Sequence, residues 1–194
     1  PSDTTIFLFF GNCREEKGLD LALRAIGRLK DHHDDVLLVT GGKMKAHEEA
    51  FFRDLAAELG LGDHLRMDVG LIPDDEALDY YRAADVIMIP YRQVYESGVA
   101  ITAATCARAA LASDLPPLLE ATENGRLGLH FRSDDVEDLA RVMERALSMG
   151  GELDELGAKT REKALRERDP DVVGAKTFAL YQQILARPGE QEGR

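Results

Sequence analysis

The stretch Thr5-Ile6-Phe7-Leu8-Phe9-Phe10, followed by Gly11-Asn12-Cys13-Arg14-Glu15-Glu16-Lys17-Gly18, decides the fold. A short run of β-branched and aromatic residues closed by a glycine reads as a strand, and the segment that follows reads as a helix. The same unit recurs along the chain. Strands are expected at Ile6–Phe10, Val36–Thr40, Leu65–Val69, Val86–Pro90, Ala110–Ser113 and Gly128–Phe131. Between them fall helices at Lys17–Lys30, Ala46–Leu59, Asp75–Ala84, Gly98–Arg108 and Val136–Met149, with two more near Leu153–Arg168 and Asp171–Ala186. Strands alternating with helices predict an α/β fold, a doubly wound, mainly parallel Rossmann-like sheet with helices on both faces. Residues 1–187 are assigned to one domain, and 188–194 to a disordered tail rich in Gly, Glu and Gln.

In an open sheet of this kind, ligands bind beyond the carboxyl ends of the strands, where the strand order reverses. With the order 3-2-1-4-5-6, that crevice lies between the first and fourth strands. The loops expected to carry chemistry are then Gly11–Lys17 and Tyr91–Gly98. In the first, Gly11 permits close backbone approach to a ligand, and a helix start favours an anion. Arg14 adds a guanidinium that forks two oxygens, and Lys17 adds a point charge. Together they suit a diphosphate. The loop is neither a Walker sequence nor GxGxxG, and an ordinary βα turn with solvated charges is the competing reading.

The chain has 194 residues and a net charge of −12, which argues against nucleic acid or an anionic membrane as its main partner. Cys13 and Cys106 lie far apart with no metal or redox spacing, so a reduced, cytoplasmic setting is expected. No apolar stretch is long enough to span a bilayer, and no signal peptide is evident. The abrupt opening on a strand leads us to expect a further segment upstream. His32-His33-Asp34-Asp35 has metal-binding residue types but sits in a turn where neighbouring side chains diverge. Asp169-Pro170-Asp171 and Asp74-Asp75-Glu76 read as helix starts. His130 and Tyr80-Tyr81 read as packing residues.

The string Phe9-Phe10-Gly11-Asn12-Cys13-Arg14-Glu15-Glu16-Lys17-Gly18-Leu19-Asp20 resembles the "FxGxxRxxKGLD" opening of the C-terminal domain of GT-B glycosyltransferases, in the retaining group called family 4. The likeness continues in order along nearly the whole chain. Leu37-Leu38-Val39-Thr40-Gly41-Gly42 is similar to that family's second strand and glycine turn. Asp68-Val69-Gly70-Leu71-Ile72-Pro73 with Glu76 resembles its "GxVPxxE" stretch, and Ala83-Ala84-Asp85-Val86 through Pro90-Tyr91-Arg92 its "AADVxxxPYR". Ser97-Gly98, followed by Ala112-Ser113-Asp114-Leu115-Pro116, resembles a branch with "SG" in the donor loop, and Phe178-Ala179-Leu180-Tyr181 resembles the closing helix.

The resemblance implies that Arg14 and Lys17 hold the donor's diphosphate and stabilise it as it leaves. It implies that Gly41 and the backbone around Ile72 line a nucleobase pocket, and that Ser97 and Gly98 present N–H groups to phosphate or sugar. Two glutamates common in relatives are replaced by Val94 and Thr102. Glu96 is then the candidate for the sugar contact, and Thr102 offers only a hydroxyl to the ribose. A frequent Gly-x-Pro is altered to Ala107-Arg108-Ala109. The expected function is donor binding in a glycosyltransferase that uses a nucleoside-diphosphate sugar without metal or other cofactor, its acceptor site lying on a separate N-terminal domain. A non-catalytic nucleotide-binding regulatory or scaffold module is the alternative. A dinucleotide-dependent dehydrogenase is disfavoured by the missing glycine fingerprint.

Overall fold

A computed structural model describes residues 4–186. The expected tail, 188–194, lies outside the described residues. Six strands form one sheet: β1 (Thr5–Phe10), β2 (Val36–Gly42), β3 (Leu65–Val69), β4 (Val86–Ile89), β5 (Ala109–Ser113) and β6 (Leu129–Phe131). The order is β3-β2-β1-β4-β5-β6 and every pairing is parallel. The strand order therefore reverses beside β1, and the carboxyl ends of β1 and β4 flank the crevice.

Alternation along the strands explains why both faces are covered. Phe7 and Phe9 point one way, with Leu38, Val86, Met88 and Leu111, into a core shared with α1 (Leu19–Leu29), α2 (Ala46–Glu58) and α6 (Val136–Met149). Leu8, Val39, Ile87, Ile89 and Ala112 point the other way, against α3 (Asp74–Ala83), α4 (Gly98–Thr105) and α5 (Pro116–Ala121). Strands buried on both faces read as continuous apolar runs, which is the pattern of Phe7–Phe9 and Val86–Ile89. Helices α7 (Gly151–Arg168) and α8 (Pro170–Ala186) complete the described chain. No residue of α8 is buried, and Val173, Phe178, Leu180, Tyr181, Ile184 and Leu185 are all exposed.

Three expectations need correction. The helix expected from Lys17 is interrupted: a 3₁₀ turn spans Glu15–Lys17, Gly18 sits at φ 68°, and α1 begins at Leu19. The helix expected to reach Arg108 ends at Thr105. Helix α5 was not anticipated, because Pro116-Pro117 reads as a turn; proline fits the first turn of a helix, whose N–H groups have no partner within it. Asp169 accepts a hydrogen bond from the Asp171 N–H at 2.9 Å where α8 begins, and His130 bonds Thr122 and the Ser113 carbonyl.

The early end of α4 has a local cause. Ala107 adopts φ 53°, the left-handed region that glycine occupies without strain and alanine does not. The glycine common in relatives at this position thus has a physical reason. Ala107→Gly should remove roughly 1–2 kcal/mol of backbone strain and return roughly 0.4–1 kcal/mol in unfolded-chain entropy. A net gain of several tenths of a kcal/mol or more is expected in urea unfolding. A loss of stability would show that the turn is not held in this conformation.

Candidate functional site

The β1–α1 loop is tied first to its neighbour on β2. The Gly11 N–H donates to the Gly41 carbonyl at 2.8 Å, and the Cys13 N–H to the Lys43 carbonyl at 3.1 Å. Cys13 is wholly buried, and burial with the nearby Glu48 charge pushes its thiol up to about 12, so it is a packing group rather than a nucleophile. Beyond it, the 3₁₀ turn brings Lys17 back over the crevice, and Gly18 closes on β4. A Cβ at Gly18 would lie 2.0 Å from the Pro90 carbonyl oxygen, so no other residue fits this contact without movement.

Arg92 locks the two loops together. Its guanidinium forks both oxygens of Asp20, at 2.8 and 2.7 Å, and also bonds Asp134 at 2.7 Å and the Glu15 carbonyl at 2.9 Å. Its own N–H donates to the Glu16 carbonyl at 2.8 Å. Hydrogen bonds that it donates to Asp20 and Asp134 hold the guanidinium well above its ordinary pKa. A two-oxygen fork needs a planar donor pair, which lysine lacks.

Within this frame the two expected cations differ. Arg14 is mostly exposed and lies 3.5 Å from Glu16, an exposed pair worth roughly 0–1 kcal/mol, so Arg14 is free to turn to a ligand. Lys17 makes no ion pair among the described residues; its ammonium rests 3.7 Å from the centroid of the Tyr91 ring. Burial lowers its pKa, Glu16 opposes that shift, and the Arg14 charge adds to it. A partly desolvated ammonium with no carboxylate partner gains more from an incoming anion than a solvated one does.

The other loop contributes the start of α4. The Ser97 hydroxyl accepts from the Ala100 N–H at 3.2 Å and caps the helix, and the space around Gly98 is open. The N–H groups of the first turn have no partner within the helix. Tyr91, beneath Lys17, also lies near Ser97. Gly41 and Ile72 also come together: a Cβ at Gly41 would lie 3.0 Å from both Ile72 Cδ1 and the Phe10 ring. Ile72 further edges an open hollow of about 460 Å³ with Asp68, Val69 and Leu71.

Two expected residues are engaged elsewhere. The Glu96 carboxylate pairs with Arg168 at 2.9 Å, beside a cavity of about 280 Å³ between α4, α5 and α7 that Ser97 also lines. The Thr102 hydroxyl donates to the Gly98 carbonyl of its own helix at 3.0 Å. Among the described residues no group of three or more potential ligands is placed to hold a metal ion. No helix among the described residues is long and apolar enough to cross a membrane. Sequence reasoning had missed Asp20, Arg92 and Tyr91 as site-forming residues. The one available signal was that the strand order would bring their two loops together.

Arg92→Lys keeps the charge but loses the fork and should lower stability by about 1–2 kcal/mol, with the crevice amides the first to lose hydrogen-exchange protection. Unchanged protection at Gly11–Gly18 would contradict the locking role.

Residues 1–163 match the family model described as "Glycosyl transferases group 1". Over 155 residues the chain is 30% identical to D-inositol 3-phosphate glycosyltransferase of Thermobifida fusca, a match that covers 76% of this chain and 36% of that protein. Sucrose-phosphate synthase from Thermosynechococcus elongatus superposes with a TM-score of 0.84 at 25% identity, over 97% of this chain and 47% of that one. The Anabaena protein Alr3699/HepE, solved in complex with UDP, superposes with a TM-score of 0.81 at 13% identity, over 94% and 50%. The chain therefore spans half or less of the length of these proteins. With its parallel six-stranded sheet in the fold of GT-B glycosyltransferases, it belongs to the glycosyl transferases group 1 family.

Proposed function

We propose that this chain is the donor-binding half of a retaining glycosyltransferase of family 4, in the branch with "SG" in its donor loop, acting on a nucleoside-diphosphate sugar. The observation that carries the reading is that Lys17, without an ion pair among the described residues, sits on one of the two loops flanking the β1/β4 crevice, while the other loop leads into the first turn of α4. Cations and helix N–H groups aimed at one point suit the charge that builds on a departing diphosphate. Arg14 and Lys17 hold the two phosphates, Gly11, Ser97 and Gly98 allow close backbone approach, and Gly41 with Ile72 borders the base. The UDP complex of the Anabaena neighbour supports a nucleotide ligand in this fold. The acceptor belongs to an N-terminal domain, and the uncovered apolar side chains of α8 suit a partner surface of that kind. The chain alone forms one wall of the cleft and should bind without turnover.

A non-catalytic nucleotide-binding module has one specific observation in its favour: Glu96 is held by Arg168 and Thr102 by its own helix, so neither is aimed at a sugar. Turnover by a full-length parent across UDP- and GDP-sugars distinguishes the two readings.

Calorimetric titration with UDP, GDP and ADP should show diphosphate binding tighter than that of the matching monophosphate. Arg14→Ala and Lys17→Ala should each cost roughly 1.5–3 kcal/mol, as for a charge-assisted hydrogen bond. Folded variants that bind like the parent would refute the site. Because protein cations neutralise the phosphates, affinity should survive EDTA; loss that magnesium or manganese restores would reopen Asp169 and Asp171. Affinity also depends on Lys17 being charged, and its folded pKa is lowered. The advantage of parent over Lys17→Ala for ADP should hold at neutral pH and shrink as pH rises, before a free lysine would titrate. An advantage constant across that range would mean that Lys17 does not act through its charge.

A further inference from the structure

Lys17 is a flexible side chain with four rotatable bonds and no carboxylate partner among the described residues, yet its ammonium sits at one defined point. The group beneath it is the Tyr91 ring. Tyr91 is 3% exposed, its carbonyl accepts from the Ser113 hydroxyl at 2.6 Å, and the backbone of the next residue is bonded to Glu16. Ser97, the cap of α4, lies near it. The ring is thus buried on a hydrogen-bonded backbone, with the ammonium above it.

We infer that Tyr91 is a positioning residue, whose ring face holds the Lys17 ammonium in place for the diphosphate. The inference rests on the reading of the crevice as a diphosphate site. A cation over an aromatic face is attracted by the ring's negative quadrupole, and the attraction is larger when the cation is partly desolvated, as Lys17 is. The ring takes one side of the ammonium and leaves its N–H donors directed elsewhere, which a carboxylate partner would not do. Glu16 makes no ion pair with Lys17, and its carboxylate lies 3.5 Å from Arg14 instead. Placing the cation before the ligand arrives saves the cost of ordering it at the moment of binding.

The test measures UDP, GDP and ADP affinity of this chain by calorimetry in the parent, Lys17→Ala, Tyr91→Leu and the double variant. Tyr91→Leu should weaken the preferred diphosphate roughly tenfold, and should add nothing once Lys17 is already alanine. Because Tyr91 is buried, Tyr91→Leu has a companion series that keeps the shape of the ring. Phenylalanine and its progressively fluorinated forms at position 91 should weaken binding stepwise as the ring face loses negative charge. A folded Tyr91→Leu that binds like the parent, a loss that persists undiminished without Lys17, or a flat fluorination series would overturn the inference. If Lys17→Ala itself leaves all three affinities unchanged, the diphosphate reading fails and takes the inference with it. If Lys17→Ala weakens binding while fluorination does not, the inference alone fails.

Discussion

The two-oxygen fork between Arg92 and Asp20 is the contact on which the site depends. Arg92 follows the end of β4 and Asp20 lies in the first turn of α1, so the fork joins the two loops that flank the point where strand order reverses. The remaining donors of Arg92 reach Glu15 and Asp134, which extends the tie to the 3₁₀ turn and to the approach of α6. With the loops fixed this way, Gly18 abuts the Pro90 carbonyl, and Lys17 is brought over Tyr91. Without the fork, the short turn carrying both expected cations would be held mainly by backbone bonds to the β2 side and to the Arg92 N–H, and by that glycine contact.

An acidic protein that recruits an anion faces an apparent conflict, because its net charge of −12 repels the ligand at a distance. The resolution is one of range. Beyond a Debye length of about 8–10 Å, exposed charges are largely screened, so distant carboxylates count for little. Near the crevice, Asp20 is neutralised by Arg92, and the exposed Arg14–Glu16 pair is weak enough for Arg14 to turn to a ligand beside Lys17 and the α4 N–H groups. Lys17 is also the partly buried charge, where an electrostatic contact is worth most.

Much of the fold was legible because strand and helix periods differ, and the apolar runs were short and well separated. Phe7–Phe9 and Val86–Ile89 could only be strands buried on both faces, and their alternation with helices fixed the layer order. The interrupted helix at Gly18 was not legible, because its cause is the Pro90 carbonyl, 72 positions away in the chain, which no local pattern records. Helix α5 was missed because its six residues carry two prolines and no periodic signal. In the site, Arg14 and Lys17 were readable from charge and position. Arg92 and Tyr91 were not: an arginine that forks a carboxylate looks the same in sequence as one that awaits a ligand. Glu96 shows the converse. Its type and position favoured a sugar contact, but a guanidinium from the end of α7 reaches it first.

The proposed ligand site is the β1/β4 crevice, between Lys17 and the start of α4. The most direct measurement is an amide chemical-shift titration of this chain with UDP, GDP and ADP. The account predicts saturable shifts concentrated at Gly11, Lys17, Gly18, Ser97 and Gly98 for at least one diphosphate. Shifts confined instead to the cavity bordered by Ala104, Arg108 and Thr160, with the crevice amides unmoved, would contradict it.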